Sequence, residues 1–472
     1  MTLWAHDEAA SATGGTATAP FVVSGISIDS RSVSHGDLFV ALQGPHFDGH
    51  EFVHAATVSG AAASMVAHRP ANVPAGTPLL VVKDTMAGLQ ALGAAARERS
   101  QARIVAVTGS AGKTGTKEAL KLALSESGEA HGSAASFNNH WGVPLSLARM
   151  PEATAYGVFE IGMNHAGEIG PLSRLVRPHV AIITTVEAAH LEFFPSVEAI
   201  ADAKAEIFEG VESGGLAILN RDNPHFGRLA AAARDKGVAI LSFGEHEKAD
   251  ARVRKQVLLE DCSTVSAEIC GSAVTYKIGA PGRHWVMNSL AVLSAVYALG
   301  ADLSLAALAL ARVDPGPGRG RRLRVPLAGG PFEVIDESYN ANPASMRAAL
   351  EVLGHSQVKG RGRRIAVLGE MRELGRNSAR LHADLAKVAE ETGIDLVYTV
   401  GEDIEELDMA LPPARRGGHA AQASEAAVLL TEAVRPGDVV LVKGSHSTGM
   451  AVVTRALAAL AIGNHRSGRS GI

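Results

Sequence analysis

The sequence predicts an α/β protein of three domains in series: a small N-terminal α/β domain, a central domain on a parallel sheet, and a Rossmann-like C-terminal α/β domain. Three observations lead there. The chain has 472 residues, and at roughly 150 residues per domain that length holds about three. Hydrophobic residues make up 46% of it, enough to fill several cores and to exclude disorder over most of the chain. Short apolar runs alternate with helical patterns along most of its length, which is the spacing of βαβ units.

The first block, 1–100, carries strand-like runs at 25–29, 38–41, 64–67 and 79–82 and closes on an alanine-rich helix at 86–99. The Pro/Gly-rich segment 70–78 reads as a loop inside it. The second block, 101–313, opens with β-branched residues at 104–107. It continues through apolar strands at 158–161, 180–184, 216–219 and 239–243, separated by helical patterns. The stretch 314–320, Asp-Pro-Gly-Pro-Gly-Arg-Gly, is the sharpest Pro/Gly cluster and marks the second boundary. Strands at 332–336, 364–368, 396–400 and 439–442 make a third α/β domain, 314–460. The polar Gly/Ser-rich residues 461–472 are expected to be a frayed tail.

Charge and composition narrow the function. Lys+Arg number 44 against Asp+Glu 49, a net charge of −5, so no basic surplus exists to neutralise a nucleic-acid backbone. The basic run 359–364 reads as a solvated loop before a strand. No apolar stretch approaches the ~20 residues of a membrane span, and residues 1–15 lack the basic start and apolar core of a secretory signal. Two cysteines, Cys262 and Cys270, form neither a disulfide framework nor a zinc pattern, and point to a reducing cytoplasm. A soluble, monomeric cytoplasmic protein is expected.

Chemistry concentrates in the second block. Residues 104–114, Ile-Val-Ala-Val-Thr-Gly-Ser-Ala-Gly-Lys-Thr, read as a buried strand, a glycine-rich turn and a helix start. Gly109 and Gly112 let the backbone N–H groups turn onto a polyphosphate, with Ser110 and Ala111 between them. Lys113 supplies a point charge, and the Thr114 hydroxyl can hold Mg²⁺. The full eight-residue phosphate-loop pattern is not met, because Val107 stands where its first glycine belongs. The alternative is an ordinary strand-to-helix turn with a chance Lys-Thr. Glu160 ends one following strand and His190 follows the next, at the sheet edge where ligands collect. Either alone is weak evidence, a lone histidine being more often a surface or core residue; both lying just after strands of the phosphate loop's own sheet puts metal binding level with that ordinary reading. Lys204 lies on a helix over 196–210 with Ser196 as N-cap, on the face carrying Ile200, Ile207 and Phe208. Burial there would depress its pKa. Spacing alone favours a snorkelling stem with its ammonium in water.

Taken together, these motifs resemble the Mur ligases of peptidoglycan precursor synthesis over about residues 3–460. In the first block the resemblance rests on Ile-Asp-Ser-Arg at 28–31, Gly-Asp-Leu-Phe-Val-Ala-Leu at 36–42 and Asp-Gly-His at 48–50. In the second it rests on the phosphate loop, whose shortened form is the family's own, and on 138–144, 160–169, 190–192 and 203–207. In the third it rests on Asp-Glu-Ser-Tyr-Asn-Ala-Asn-Pro at 336–343 and Leu-Gly-Glu-Met-Arg-Glu-Leu at 368–374.

The resemblance implies a UDP-binding first domain, with Ser30 and Arg31 at the substrate, and a central P-loop ATPase domain using ATP and Mg²⁺. It implies Glu160 and His190 as Mg²⁺ ligands with Thr114, a carbamylated Lys204, and catalytic roles for Lys113, Lys204 and His190. Asn288 would contact adenine, Gly115 and Asp336 would line the nucleotide site, and Asn340 and Asn342 would meet substrate. The third block is most similar to the members that add D-alanyl-D-alanine to a UDP-N-acetylmuramoyl-tripeptide. It lacks the Asp-Asn-Pro-Arg motif of the diaminopimelate-adding members. Three positions depart from the pattern: Gly115 where Ser or Thr is usual, Trp285 where Asn is common, and His446 where Arg is frequent.

Overall fold

A computed structural model describes residues 2–133 and 136–467, with side chains as far as Ala461. Three main sheets follow one another along the chain. In the first, five strands run in the order Thr16–Ala17, Leu79–Val81, Ala63–Val66, Asp37–Val40, Gly25–Ser27, and all but the first are parallel. Helix Thr85–Arg99, capped by Asp84, joins this sheet to the next. Arg97 on it donates to the carbonyls of Val176 and Arg177, and the Arg99 guanidinium lies 3.8 Å over the Trp4 ring. Trp4 in turn donates its indole N–H to Ala148 O at 2.9 Å. The buried Arg97 and the buried Trp4 indole thus find these partners only because the first two domains are packed together, while the half-buried Arg99 is held within its own domain.

The central sheet has nine strands. Its order is Ala130–Gly132, Tyr156–Glu160, Arg103–Thr108, Val180–Ile183, Leu216–Asn220, Ala239–Gly244, Ala251–Leu258, Ser263–Ile269, Ser272–Ile278. Side-chain alternation splits Arg103–Thr108 between two cores: Val105 and Val107 face one, Ile104 and Ala106 the other. The chain leaves this strand to one side through Tyr156–Glu160 and returns on the other at Val180–Ile183. Crevices that bind ligands form at such a switch of strand order, at the carboxyl ends of the strands. The last three strands, unforeseen as strands, form an antiparallel meander with one polar face.

The third sheet runs Arg321–Val325, Phe332–Glu337, Val439–Lys443, Arg364–Gly369, Leu396–Val400, Arg416–Ala420, parallel apart from its first pair. Val439 and Leu441 enter one core, Val440 and Val442 the other. Helices therefore cover both faces, as the apolar runs predict. No helix among the described residues is long and apolar enough to cross a membrane. The expected tail is helical through its first part, because helix Ala451–Ser467 propagates from a packed first half; residues 468–472 lie outside the described residues.

Candidate active site

The carboxyl end of Arg103–Thr108 opens onto a cavity of about 1140 Å³ between the central and C-terminal domains. The loop at its floor has Gly109 at φ +149° and Gly112 at φ +81°, the second as the residue before helix Lys113–Leu124. A Cβ at Gly109 would stand 1.9 Å from Thr184 Oγ1, so no other residue fits there. The Thr184 hydroxyl donates to Ala111 O at 2.6 Å, and the Lys113 ammonium donates to Gly109 O at 2.7 Å. Ser110 N donates to Thr185 O at 2.9 Å, and the turn from Gly109 through Gly112 into the helix leaves its remaining N–H groups and the helix N-terminus as a cradle suited to an anion.

At the second residue of that helix, the Thr114 hydroxyl donates to Glu160 Oε2 at 2.8 Å, while Asn138 Nδ2 donates to Glu160 Oε1 at 2.7 Å. Glu160, at the end of its strand, is 1% exposed. Among the described residues no three carboxylates, imidazoles or thiols gather as a ready-made metal cage. A hydroxyl and one carboxylate beside a phosphate cradle is the arrangement Mg²⁺ takes when it shares its coordination with a nucleotide and water. The residues present fit that group. His190 lines the same cavity. Its Nδ1 lies 2.5 Å from Glu373 Oε2, a bond that holds the Glu373 carboxyl below the usual range.

Lys204 corrects the snorkelling expectation. It is 2% exposed, and among the described residues no hydrogen bond or ion pair reaches its ammonium. Helix Val197–Ala205, capped by Ser196, continues as the 3₁₀ turn Glu206–Gly210, and this segment buries Ile200, Ala203, Ile207 and Phe208 in one core. The stem is thus buried and not laid along the surface. Burial drives the Lys204 pKa well below the ordinary lysine value, and the nearby Lys113 charge pushes the same way. Lys113 is itself lowered by burial, opposed by Glu160 and reinforced by Arg319.

The C-terminal domain closes the cavity from the other side. Asn342 caps helix Pro343–His355 by accepting from Ser345 N, and its amide donates to Ser110 O of the phosphate loop at 3.1 Å. Asn340 lines the wall, its carbonyl accepting from Lys443 Nζ at 2.9 Å. Asn288 also lines the cavity, against the loop, where a Cβ at Gly112 would be 2.8 Å from its Oδ1.

Apart from Gly109, whose loop neighbours line the cavity, four expected residues are not among its lining: Asp336, Ser30, Arg31 and the buried Lys204. Asp336 is buried with its carboxylate occupied by Gly318 N, the amide and hydroxyl of Ser338, and the Thr454 hydroxyl. It fastens the interdomain turn, and its neighbour Glu337 faces the cavity instead, 3.1 Å from Lys443. Ser30 and Arg31 sit on a 3₁₀ turn of the first domain outside the cavity lining, Arg31 paired with Asp29 at 2.7 Å.

Sequence reasoning missed Arg319, Glu337 and Lys443 as cavity residues and gave Asn138 no role. Arg319 lies in the Pro/Gly boundary cluster; it donates to Ser136 Oγ at 2.8 Å, and its guanidinium lies 4.0 Å over the Tyr339 ring. An arginine inside a linker between two α/β domains was the available signal.

Two of the sequence departures meet here. A Cβ at Gly115 would lie 2.9 Å from the Trp285 ring, which is buried against this turn of helix. Glycine at 115 makes room for tryptophan at 285.

Comparison with known proteins places this arrangement. The Mur ligase middle domain matches residues 107–296, the Mur ligase glutamate ligase domain 320–446, and the Mur ligase family catalytic domain 22–125. The UDP-N-acetylmuramoyl-tripeptide–D-alanyl-D-alanine ligase of Escherichia coli is 35% identical over 93% of this chain and 94% of its own. That of Rickettsia prowazekii is 34% identical over 89% and 92%. The crystal structure of MurF from Acinetobacter baumannii superposes with a TM-score of 0.83 at 31% identity, covering 96% of this chain and 98% of that one. MurF ligase from Thermotoga maritima in complex with ADP gives 0.75 at 26%, covering 93% and 98%.

Proposed function

The chain belongs to the Mur ligase family, and from that premise we propose that it joins D-alanyl-D-alanine to UDP-N-acetylmuramoyl-tripeptide in cytoplasmic peptidoglycan precursor synthesis, converting ATP to ADP and phosphate. The observation that carries this reading is the single cavity in which the phosphate loop and the Asn340–Asn342 segment of the C-terminal domain meet.

An amide does not form unaided from a carboxylate and an amine at neutral pH, because hydroxide leaves poorly. ATP supplies the missing leaving group by phosphorylating the carboxylate to an acyl phosphate, which the amine attacks. Phosphoryl transfer is chiefly positioning and charge neutralisation. Lys113 and the N–H groups at the helix N-terminus after Ser110 would bind and orient the phosphates. Thr114 and Glu160 would hold one Mg²⁺ and His190 a second, and bound magnesium supplies charge neutralisation on the phosphate oxygens. Asn288 and Trp285 would form the wall beside the base. Asn340 and Asn342, with Arg319 and Lys443, would orient the incoming dipeptide and the C-terminal end of the tripeptide. Ser30 and Arg31 would hold the uridine end. Closure of the C-terminal domain on the phosphate loop excludes water from the activated carboxyl.

Lys204 fits a carbamate. Only a neutral amine reacts with CO₂, and burial shifts this one toward its neutral form. The product is an anion where two neighbouring cations would otherwise repel, and its oxygens suit Mg²⁺. One chain contains the whole residue set, which supports activity as a monomer with domains at 1–100, 101–313 and 314–460.

Phosphate release from ATP tests the assignment. It should require UDP-N-acetylmuramoyl-tripeptide and D-alanyl-D-alanine together. Equal turnover with a UDP-dipeptide and free meso-diaminopimelate or L-lysine would refute it.

A further inference from the structure

Among the described residues only four non-glycine residues have positive φ: Arg177 at 48°, His190 at 59°, Cys270 at 48° and Glu373 at 64°. Two of the four, His190 and Glu373, are bonded to each other across the boundary between the central and C-terminal domains. A left-handed backbone costs a residue with a Cβ roughly 1 kcal/mol or more and persists where surrounding structure enforces it.

The enforcing contacts are visible. Glu192 N donates to Glu373 O at 3.0 Å, tying the two loops at the backbone. Gly375, at φ +57°, packs so that a Cβ there would lie 3.3 Å from Glu192 Cα. Behind Glu373 the loop is braced: Met371 N donates to the buried His382 Nε2 and Arg372 N to Ser445 Oγ, each at 2.8 Å, and Ser445 N returns a bond to Glu370 O. Glu373 is therefore presented on a stiff support, and its carboxylate is spent on one imidazole nitrogen.

We propose that Glu373 is a positioning residue that, from the C-terminal domain, fixes the tautomer and orientation of His190, so that docking of this domain completes the metal-binding set of the central domain. The inference rests on the reading of His190 as a Mg²⁺ ligand. A carboxylate accepting from Nδ1–H leaves Nε2 as the nitrogen with a lone pair, and a ligand histidine needs just that nitrogen bare. The placement agrees: His190 lines the cavity and Glu373 does not. The nitrogen that faces the C-terminal domain is thus tied, and the ring is held on the cavity wall. A ring without Glu373 populates both tautomers and turns freely. The domain boundary gives the bond its second consequence, because an undocked C-terminal domain leaves His190 unoriented.

The test uses the full chain with Glu373→Ala, Glu373→Gln and His190→Ala. Calorimetry follows binding of the non-hydrolysable ATP analogue AMP-PNP as Mg²⁺ is varied, alongside kcat and KM for ligation. Affinity for the UDP-tripeptide and circular dichroism report on folding. Glu373→Ala should raise the Mg²⁺ concentration for half-maximal analogue binding about tenfold, with UDP-tripeptide affinity unchanged. Glu373→Gln, whose amide oxygen still accepts from Nδ1–H, should recover most of that loss, which a merely structural role of the side chain would not predict. Small-angle scattering with AMP-PNP and Mg²⁺ should show Glu373→Ala more extended than the parent protein. A wild-type Mg²⁺ midpoint in Glu373→Ala, with the midpoint displaced in His190→Ala, overturns the positioning role and leaves the metal reading standing. An unchanged midpoint in His190→Ala removes the metal reading and this inference with it.

Discussion

A Cβ at Gly115 reaches to 2.9 Å from the Trp285 ring, and a buried indole has little room to yield. Gly115→Ser should therefore cost about 1–2 kcal/mol of stability and weaken ATP binding, whereas the same change in a Trp285→Asn background should cost little. Thermal unfolding and the KM for ATP across the four combinations check this; strict additivity would show that the two positions are independent. At Lys204 the contrast is chemical. Lys204→Ala should be inactive yet folded, with partial recovery in acetate or formate, because a small carboxylate can enter the vacated space and supply an anionic oxygen. Near wild-type activity without additive would rule out the carbamate. Residue identity was legible at both places, but depth was not. The i−4, i+3 and i+4 spacing put Lys204 on an apolar face, and only the packing around the helix and the 3₁₀ turn after it decides that the residue is buried. Asp336 and Glu337 differ by one strand residue and so point to opposite faces; the motif located the carboxylate, and the pleat, which no motif states, decides which one meets the cavity.

At the scale of elements, helix Pro343–His355 joins two jobs in its N-cap residue. Asn342 Oδ1 caps the helix, while Asn342 Nδ2 bonds the phosphate loop. The two separate by substitution. Serine also caps well but has no amide to reach Ser110, so Asn342→Ser should keep the melting temperature within about 2 °C of wild type. Loss of one interdomain hydrogen bond of about 1 kcal/mol should lower kcat/KM for ATP roughly fivefold. Asn342→Ala should lose both properties, and equal kinetics for Ser and wild type would show that the amide bond carries no function. Elements themselves were legible according to their chemistry. Parallel strands buried on both faces read as continuous apolar runs, as at 104–107 and 439–442, and stand where expected. The strands Ala251–Leu258, Ser263–Ile269 and Ser272–Ile278 wear one polar face and carry Arg252, Arg254, Lys255 and Glu268, so no apolar run announced them. Arg416–Ala420 is an edge strand of mostly small and polar residues and was hidden for the same reason.

Across the whole molecule, the residues proposed for ATP and those proposed for uridine belong to different sheets. Lys113 opens the helix that follows the central sheet's strand Arg103–Thr108, whereas Ser30 and Arg31 lie on the first domain beyond strand Gly25–Ser27, outside the cavity. Three separate domains and their order followed from length, apolar spacing and one Pro/Gly cluster, but how they close on one another depends on long-range contacts such as Asn342 to Ser110 and Glu373 to His190, to which no local pattern points. The separation has a thermodynamic consequence. A side chain contributes to the affinity of a ligand it does not touch only through a coupled conformational change. The first and central domains are bound by Trp4 and Arg97 through contacts remote from the phosphate loop, so they offer little such coupling. Lys113→Ala should therefore abolish ligation, since phosphoryl transfer loses the loop's own cation, while the UDP-tripeptide dissociation constant measured by calorimetry without nucleotide stays within about twofold, less than 0.5 kcal/mol. A parallel fall of affinity and activity would mean that the tripeptide end of the substrate depends on Lys113 for binding, and that the phosphate loop serves both substrates rather than ATP alone.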